Sequence, residues 1–135
     1  MFLLDTNIII YLIAQHPTYY KNISKNIKSH NHTDIFISSI AAAELFYGAF
    51  NSARKVENLD IVARFCNFFK ILDFDLKSAK IYGAVRSQAK QNNRNIGEYD
   101  IQIASIALAN DLTLITNNEK DFSFIDGLSI QNWTK

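Results

Sequence analysis

The sequence predicts an α/β protein built around a mainly parallel central sheet, and three observations predict it. Short apolar runs of strand length alternate with longer segments of helical period along the whole chain. The runs near residues 1–4, 34–38 and 112–116 are apolar without alternation, as strands covered on both faces are. A length of 135 residues is enough for one domain, over 1–135, with a single sizeable core.

Met1 to Leu4 reads as the first strand, and Asp5 stands at its carboxyl end, where open α/β sheets place their ligands. Thr6 and Asn7 are capping residue types, which predicts a helix from Ile8 to Ala14 whose first N–H groups flank the Asp5 carboxylate. His16-Pro17 breaks that helix, and Pro17 suits the first position of the next. Thr18 to Ser29 sets Tyr19, Tyr20, Ile23 and Ile27 against a lysine-rich face. HNHT is a loop, and Asp34 to Ser38 is the second strand. Ser38 or Ser39 caps the helix IAAAELFYGAF.

Arg54 to Lys70 is a helix rich in aromatic residues, and Ile71-Leu72-Asp73 is a short strand-like link. Asp75 opens a long basic helix that runs to about Asn92. Gly97 stands at the start of a helix that Asn110-Asp111 closes, and Leu112 to Thr116 forms the third strand. Asp126-Gly127 is a turn before a last edge strand over Leu128 to Trp133.

Composition narrows the function classes. With 48% hydrophobic and 20% charged residues, one Pro and four Gly, the chain is neither disordered nor collagen-like. The single Cys66 has no internal disulfide partner, which implies a buried thiol in a reducing compartment and favours the cytoplasm. The first residues lack a basic leader and a cleavage pattern, so no signal peptide is expected, and no apolar run is long enough to span a bilayer. His16, His30 and His32 lack zinc-site spacing and read as surface residues. No Gly-rich phosphate loop, G-x-S-x-G elbow or Cys/His pair is present, which disfavours nucleotide-dependent and covalent mechanisms. The net charge of +1 is uninformative, but Lys77, Lys80, Arg86, Lys90 and Arg94 form a run without an acid. That run is either a solvated helix face or a phosphate-binding flank.

Three acids stand out. An unpaired Asp5 between two apolar segments would cost several kcal/mol, so it needs a partner. Counting in threes and fours from Glu44 reaches Ile40, Ala41, Tyr47 and Gly48, an apolar or small face. The same count from Asp100 reaches Ile103, Ala104, Ala107 and Leu108, although an acid in a first helical turn also serves the helix dipole. If the strand ends after Leu4, Ile37 and Ile115 share one edge, Asp5, Glu44, Asp100 and the TNN segment meet there. Such an oxygen-rich set without Cys suits a hard cation, Mg²⁺ or Mn²⁺, whose use is phosphodiester chemistry. Arg86 is a phosphate contact, a charge partner for the acids, or a plain surface arginine.

At this point the segments LLDTNIIIYLI, SSIAAAELFYG, IGEYDIQIASIALANDLTLITNN and GLSIQNW together resemble the PIN-domain ribonucleases of the VapC toxin type over nearly the whole chain. The resemblance implies a single PIN domain over 1–135, three layers α/β/α, and magnesium-dependent endonucleolytic cleavage of RNA. It implies Asp5, Glu44 and Asp100 as catalytic, metal-holding acids, with Thr6, Asn7, Arg86 and Thr116 as candidates for substrate contact. Many such domains carry a fourth acid where this chain has Asn118, a weaker ligand, and Asp121 lies near enough to replace it. The resemblance also implies a homodimer that assembles with a small cognate antitoxin into a hetero-oligomer. The aromatic segments Phe46, Tyr47, Phe50 and Phe65 to Phe69 line a groove for it or belong to the core. The rival reading is a PIN-like module without turnover that binds RNA or a partner.

Overall fold

In the computed structural model, which describes residues 1–135, the chain begins with β1 (Phe2–Leu4), α1 (Thr6–Ile13), α2 (Tyr20–Lys28), β2 (Ile35–Ser38) and α3 (Ser39–Phe50). It continues through α4 (Lys55–Phe68), β3 (Lys70–Leu72), α5 (Leu76–Gln91), α6 (Glu98–Ala109), β4 (Thr113–Ile115), α7 (Glu119–Phe122) and β5 (Ile130–Gln131). The five strands form one wholly parallel sheet in the order β3-β2-β1-β4-β5, flanked by the helices in three layers. β1 lies at the centre, paired through Leu4 with Ile37 on one side and with Ile115 on the other. Leu3, Leu4, Ile35, Ile37, Leu114 and Ile115 are fully buried, which is why these runs carry no polar alternation. The chain winds outward from β1 to β3, then crosses back to β4, so the strand order reverses between β1 and β4. Crevices for ligands open at the carboxyl ends of strands at such a reversal.

Several local readings change. The residue that caps α1 is Asp5 itself, with extended backbone and a side chain that accepts from the Thr6 N–H, so the helix starts at Thr6 rather than Ile8. Pro17 does not open α2: the His16 imidazole Nδ1 accepts the N–H groups of Thr18 and Tyr19 and holds them in a turn, and the helix starts at Tyr20. His16 and His30 are half-buried rather than surface residues, His16 stacked on Tyr19 and His30 on Trp133. Cys66 is half-buried, and burial pushes its thiol up. β5 is an edge strand as expected but shorter. Ser38 caps α3 and Asp75 caps α5 through the Ala41 and Ser78 N–H groups. No helix is long and apolar enough to cross a membrane.

The buried stripe of α3 is Ala41, Leu45 and Ala49, so Glu44 lies beside the core face and not on it, with Tyr47 and Gly48 exposed. An Ala-rich helix offers small residues in every direction, so counting from the acid found an apolar face that is not the packed one. In α6 the agreement is better: Ile103, Ala104 and Ala107 are buried, and Asp100 sits half-buried at the open end of that stripe.

Candidate active site

The site forms where β1 and β4 end. The backbone N–H of Asp5 continues the ladder by donating to the Ile115 carbonyl at 2.9 Å, which sets the carboxylate between the two strand ends. Its Oδ1 accepts the Thr6 N–H at 2.8 Å, and its Oδ2 accepts the Thr116 hydroxyl at 2.8 Å. Thr116 Oγ1 in turn accepts the Asn118 N–H at 2.9 Å, tying the loop after β4 to the same carboxylate. Glu44 reaches the site from the middle of α3, and the Thr6 hydroxyl donates to its Oε1 at 2.8 Å. Asp100 arrives from the first turn of α6 and lines a recess with Glu44, Gly97, Glu98 and Tyr99.

Burial pushes the Asp5 carboxyl up to about 6; the Thr116 and Thr6 hydrogen bonds oppose this, and the charges of Asp100 and Glu44 add to it. Asp100 is raised as well, first by burial and then by Glu44 and Asp121. Glu44 and Asp100 thus repel one another across one recess, Asp5 is buried within reach of both charges, and the three do not close into a ligand shell. Their donor set is all oxygen, anionic and held by threonine hydroxyls, which fits a hard divalent cation and no soft one. Asp121 acts on Asp100 and accepts the Asn118 side-chain N–H at 2.8 Å, so the two residues left open as the fourth member occupy one place together.

The other candidates separate. Thr6 and Thr116 orient carboxylates: each hydroxyl is spent on an acid. Asn7 is exposed on α1 with no bond to the acids. Arg86 is paired with Glu98 at 2.9 Å and with the Tyr82 hydroxyl at 2.7 Å, not with Asp5, Glu44 or Asp100. It lines an open cleft with Lys90 and Arg94 that adjoins the acid recess through Gly97 and Glu98. Of the aromatic segments, Phe69 is core, Phe46 and Phe65 pack half-buried against it, and Tyr47, Phe50 and Phe68 are exposed.

A parallel sheet with acids gathered at the reversal of its strand order defines the class, and the PIN domain family matches residues 2–128. The chain is 41% identical to Ribonuclease VapC2 of Rickettsia felis, over 100% of this chain and 99% of that protein. It is 34% identical to the tRNA(fMet)-specific endonuclease VapC of Salmonella typhimurium, over 98% and 97%. The crystal structure of DNA-bound VapBC from Salmonella typhimurium superposes with a TM-score of 0.90 at 34% identity, covering 98% of this chain and 97% of that one. The chain belongs to the PIN-domain family and, within it, to the VapC ribonucleases.

Proposed function

We propose that this chain is the toxin of a toxin–antitoxin pair, an endoribonuclease that requires Mg²⁺ or Mn²⁺ to hydrolyse RNA phosphodiesters. The observation that carries the reading is that Asp5, Glu44 and Asp100, from three separate elements, lie close enough for their charges to oppose one another, with Glu44 and Asp100 lining one recess and Asp5 buried beside it. Asp5, Glu44 and Asp100 would hold the cation, with Asp121 and Asn118 beside Asp100. A hard divalent cation bound there supplies Lewis-acid polarisation of a phosphodiester and a more acidic water. Thr6 and Thr116 keep Glu44 and Asp5 aimed through their hydroxyls. Without a cation the same acids repel an RNA phosphate, so they also gate substrate entry by charge. The matches to relatives named as ribonucleases support RNA as substrate, and the name of the Salmonella relative makes a tRNA the first one to try.

The likeness to a VapBC complex supports a cognate antitoxin as partner. An apolar groove of about 260 Å³, lined by Ile10, Ile13, Leu45, Ile61 and Val62 and reaching Glu44, suits an apolar segment of such a partner. The test is cleavage of tRNA and of single-stranded RNA by the purified chain with Mg²⁺, with EDTA, and with Asp5→Asn in Mg²⁺. Cleavage is expected in the first condition alone. Cleavage indifferent to EDTA would overturn the metal requirement.

A further inference from the structure

A second cleft opens onto Glu44. It has a volume of about 460 Å³ and is lined by Ile40, Ala43, Glu44, Tyr47 and Tyr99. Glu44 and Tyr99 also line the recess that holds Asp100, so the two spaces are continuous. Tyr47 and Tyr99 are 72% and 58% exposed, and neither belongs to the core nor packs against it. Their rings are therefore largely open to solvent. Both are fixed in register with the acids: Tyr47 lies one turn beyond Glu44 on α3, and Tyr99 directly precedes Asp100 on α6.

The chemistry of this cleft differs from that of its neighbour. No cation lines it, and its floor is apolar, so it does not suit a phosphate. The cleft that adjoins the acid recess through Gly97 and Glu98, lined by Arg86, Lys90 and Arg94, does. A polynucleotide has both parts, anionic phosphates and flat neutral bases whose faces stack on aromatic rings. Resting on the ribonuclease reading above, we propose that the Tyr47–Tyr99 cleft is a base-binding subsite: it takes one unpaired nucleobase next to the scissile phosphate, stacked on these rings. The recess then selects a single-stranded or splayed-out position in the RNA, since a base paired in a helix cannot present its face.

The test uses a short single-stranded RNA and its copies with an abasic site at each position in turn, bound to the full unmodified chain in Ca²⁺, a hard cation that takes the same oxygen ligands in place of Mg²⁺. Tyr47→Ala and Tyr99→Ala are each expected to weaken binding by roughly 5- to 150-fold, and Tyr→Phe at either position to keep it, because stacking needs only the ring. One abasic position is expected to weaken binding to the parent protein and to have no further effect in the alanine variants. The loss is expected to persist at high salt, unlike a phosphate contact. Unchanged affinity in the alanine variants overturns the subsite, and so does a change of oligomeric state by sedimentation, which would assign these rings to an interface between copies. Cleavage by the unmodified chain, measured in parallel, judges the nuclease reading separately: RNA bound through the tyrosines but never cut would overturn that reading and leave the subsite standing.

Discussion

Asp5→Asn is expected to stabilise the cation-free fold at neutral pH while abolishing cleavage. Asp5 is 3% exposed, and its carboxyl is pushed from 3.8 up to about 6, chiefly by burial. An acid raised in this way holds its proton more tightly in the folded chain than in the unfolded one. The contribution of Asp5 to stability is therefore greatest below pH 3.8, falls as pH rises to about 6, and stays lowered above it. At about 1.4 kcal/mol for each pH unit of that window, the ionised carboxylate lowers stability by about 3 kcal/mol at neutral pH. Asparagine escapes this cost but loses about 1 kcal/mol of hydrogen bonding. Its oxygen can still accept the Thr6 N–H, whereas its amide meets a Thr116 hydroxyl that already accepts from Asn118. The net gain is about 2 kcal/mol, or roughly 7 °C in Tm for a domain of this size. Thermal unfolding in EDTA at about pH 7.5 and about pH 4 measures it, and the gain is expected to vanish at the lower pH. Mg²⁺ is expected to raise the Tm of the parent chain and to leave that of the variant nearly unmoved. A variant that melts below the parent in EDTA at neutral pH, or gains equally at both pH values, would refute the account of Asp5.

Thr6→Val keeps the shape of the side chain and removes the donor to Glu44, so Mg²⁺ affinity measured by calorimetry is expected to fall about 10- to 100-fold, with Thr6→Ser retaining it. Lys90→Glu with Arg94→Glu is expected to flatten the salt dependence of single-stranded RNA binding by roughly 1.4 in slope, and a salt-independent loss would remove the cleft between α5 and α6 from the RNA path. Arg94 also lies 5.1 Å from the Phe124 ring centroid, so that double variant is expected to lose about 0.5–1 kcal/mol of stability in denaturant melts. Arg86→Ala breaks an ion pair whose side chains are both more than half exposed, and the Tm in thermal melts is expected to stay close to that of the parent.

What could be read from the residues follows how local each determinant is. The strands around Leu4, Ile37 and Ile115 were legible because a strand buried on both faces leaves a continuous apolar run. Asp5 was legible because a charge interrupts such a run. The helix caps at Ser38 and Asp75 were legible because capping is a matter of three residues. The face of Glu44 was misread because periodicity identifies a packed stripe only where polar residues mark the other sides, and SIAAAELFYGAF has almost none. His30 was misread because it finds Trp133 far along the chain, a pairing that no local pattern encodes, whereas His32 is exposed as expected. Thr6 and Thr116 were singled out for substrate contact, whereas the donation of their hydroxyls to Glu44 and Asp5 depends on the register between elements.

That register links fold to site. β1 pairs with β4 so that Leu4 faces Ile115, and the next residue on each strand supplies the carboxylate and the hydroxyl that meet at 2.8 Å. A slip of one residue would turn Asp5 or Thr116 to the opposite face of the sheet, and would bury Leu4 or Ile115 against the wrong layer. The residue after Asp5 ties in the third element, because Thr6 spends its N–H on Asp5 and its hydroxyl on Glu44. The same core that sets the strand register therefore sets the spacing of at least two of the three acids. The apolar residues stabilise that register, and the mutual repulsion of the acids opposes it. Ligand-free protein should consequently be least stable where the acids are fully ionised, and the substitutions that relieve it should be the ones that remove the chemistry.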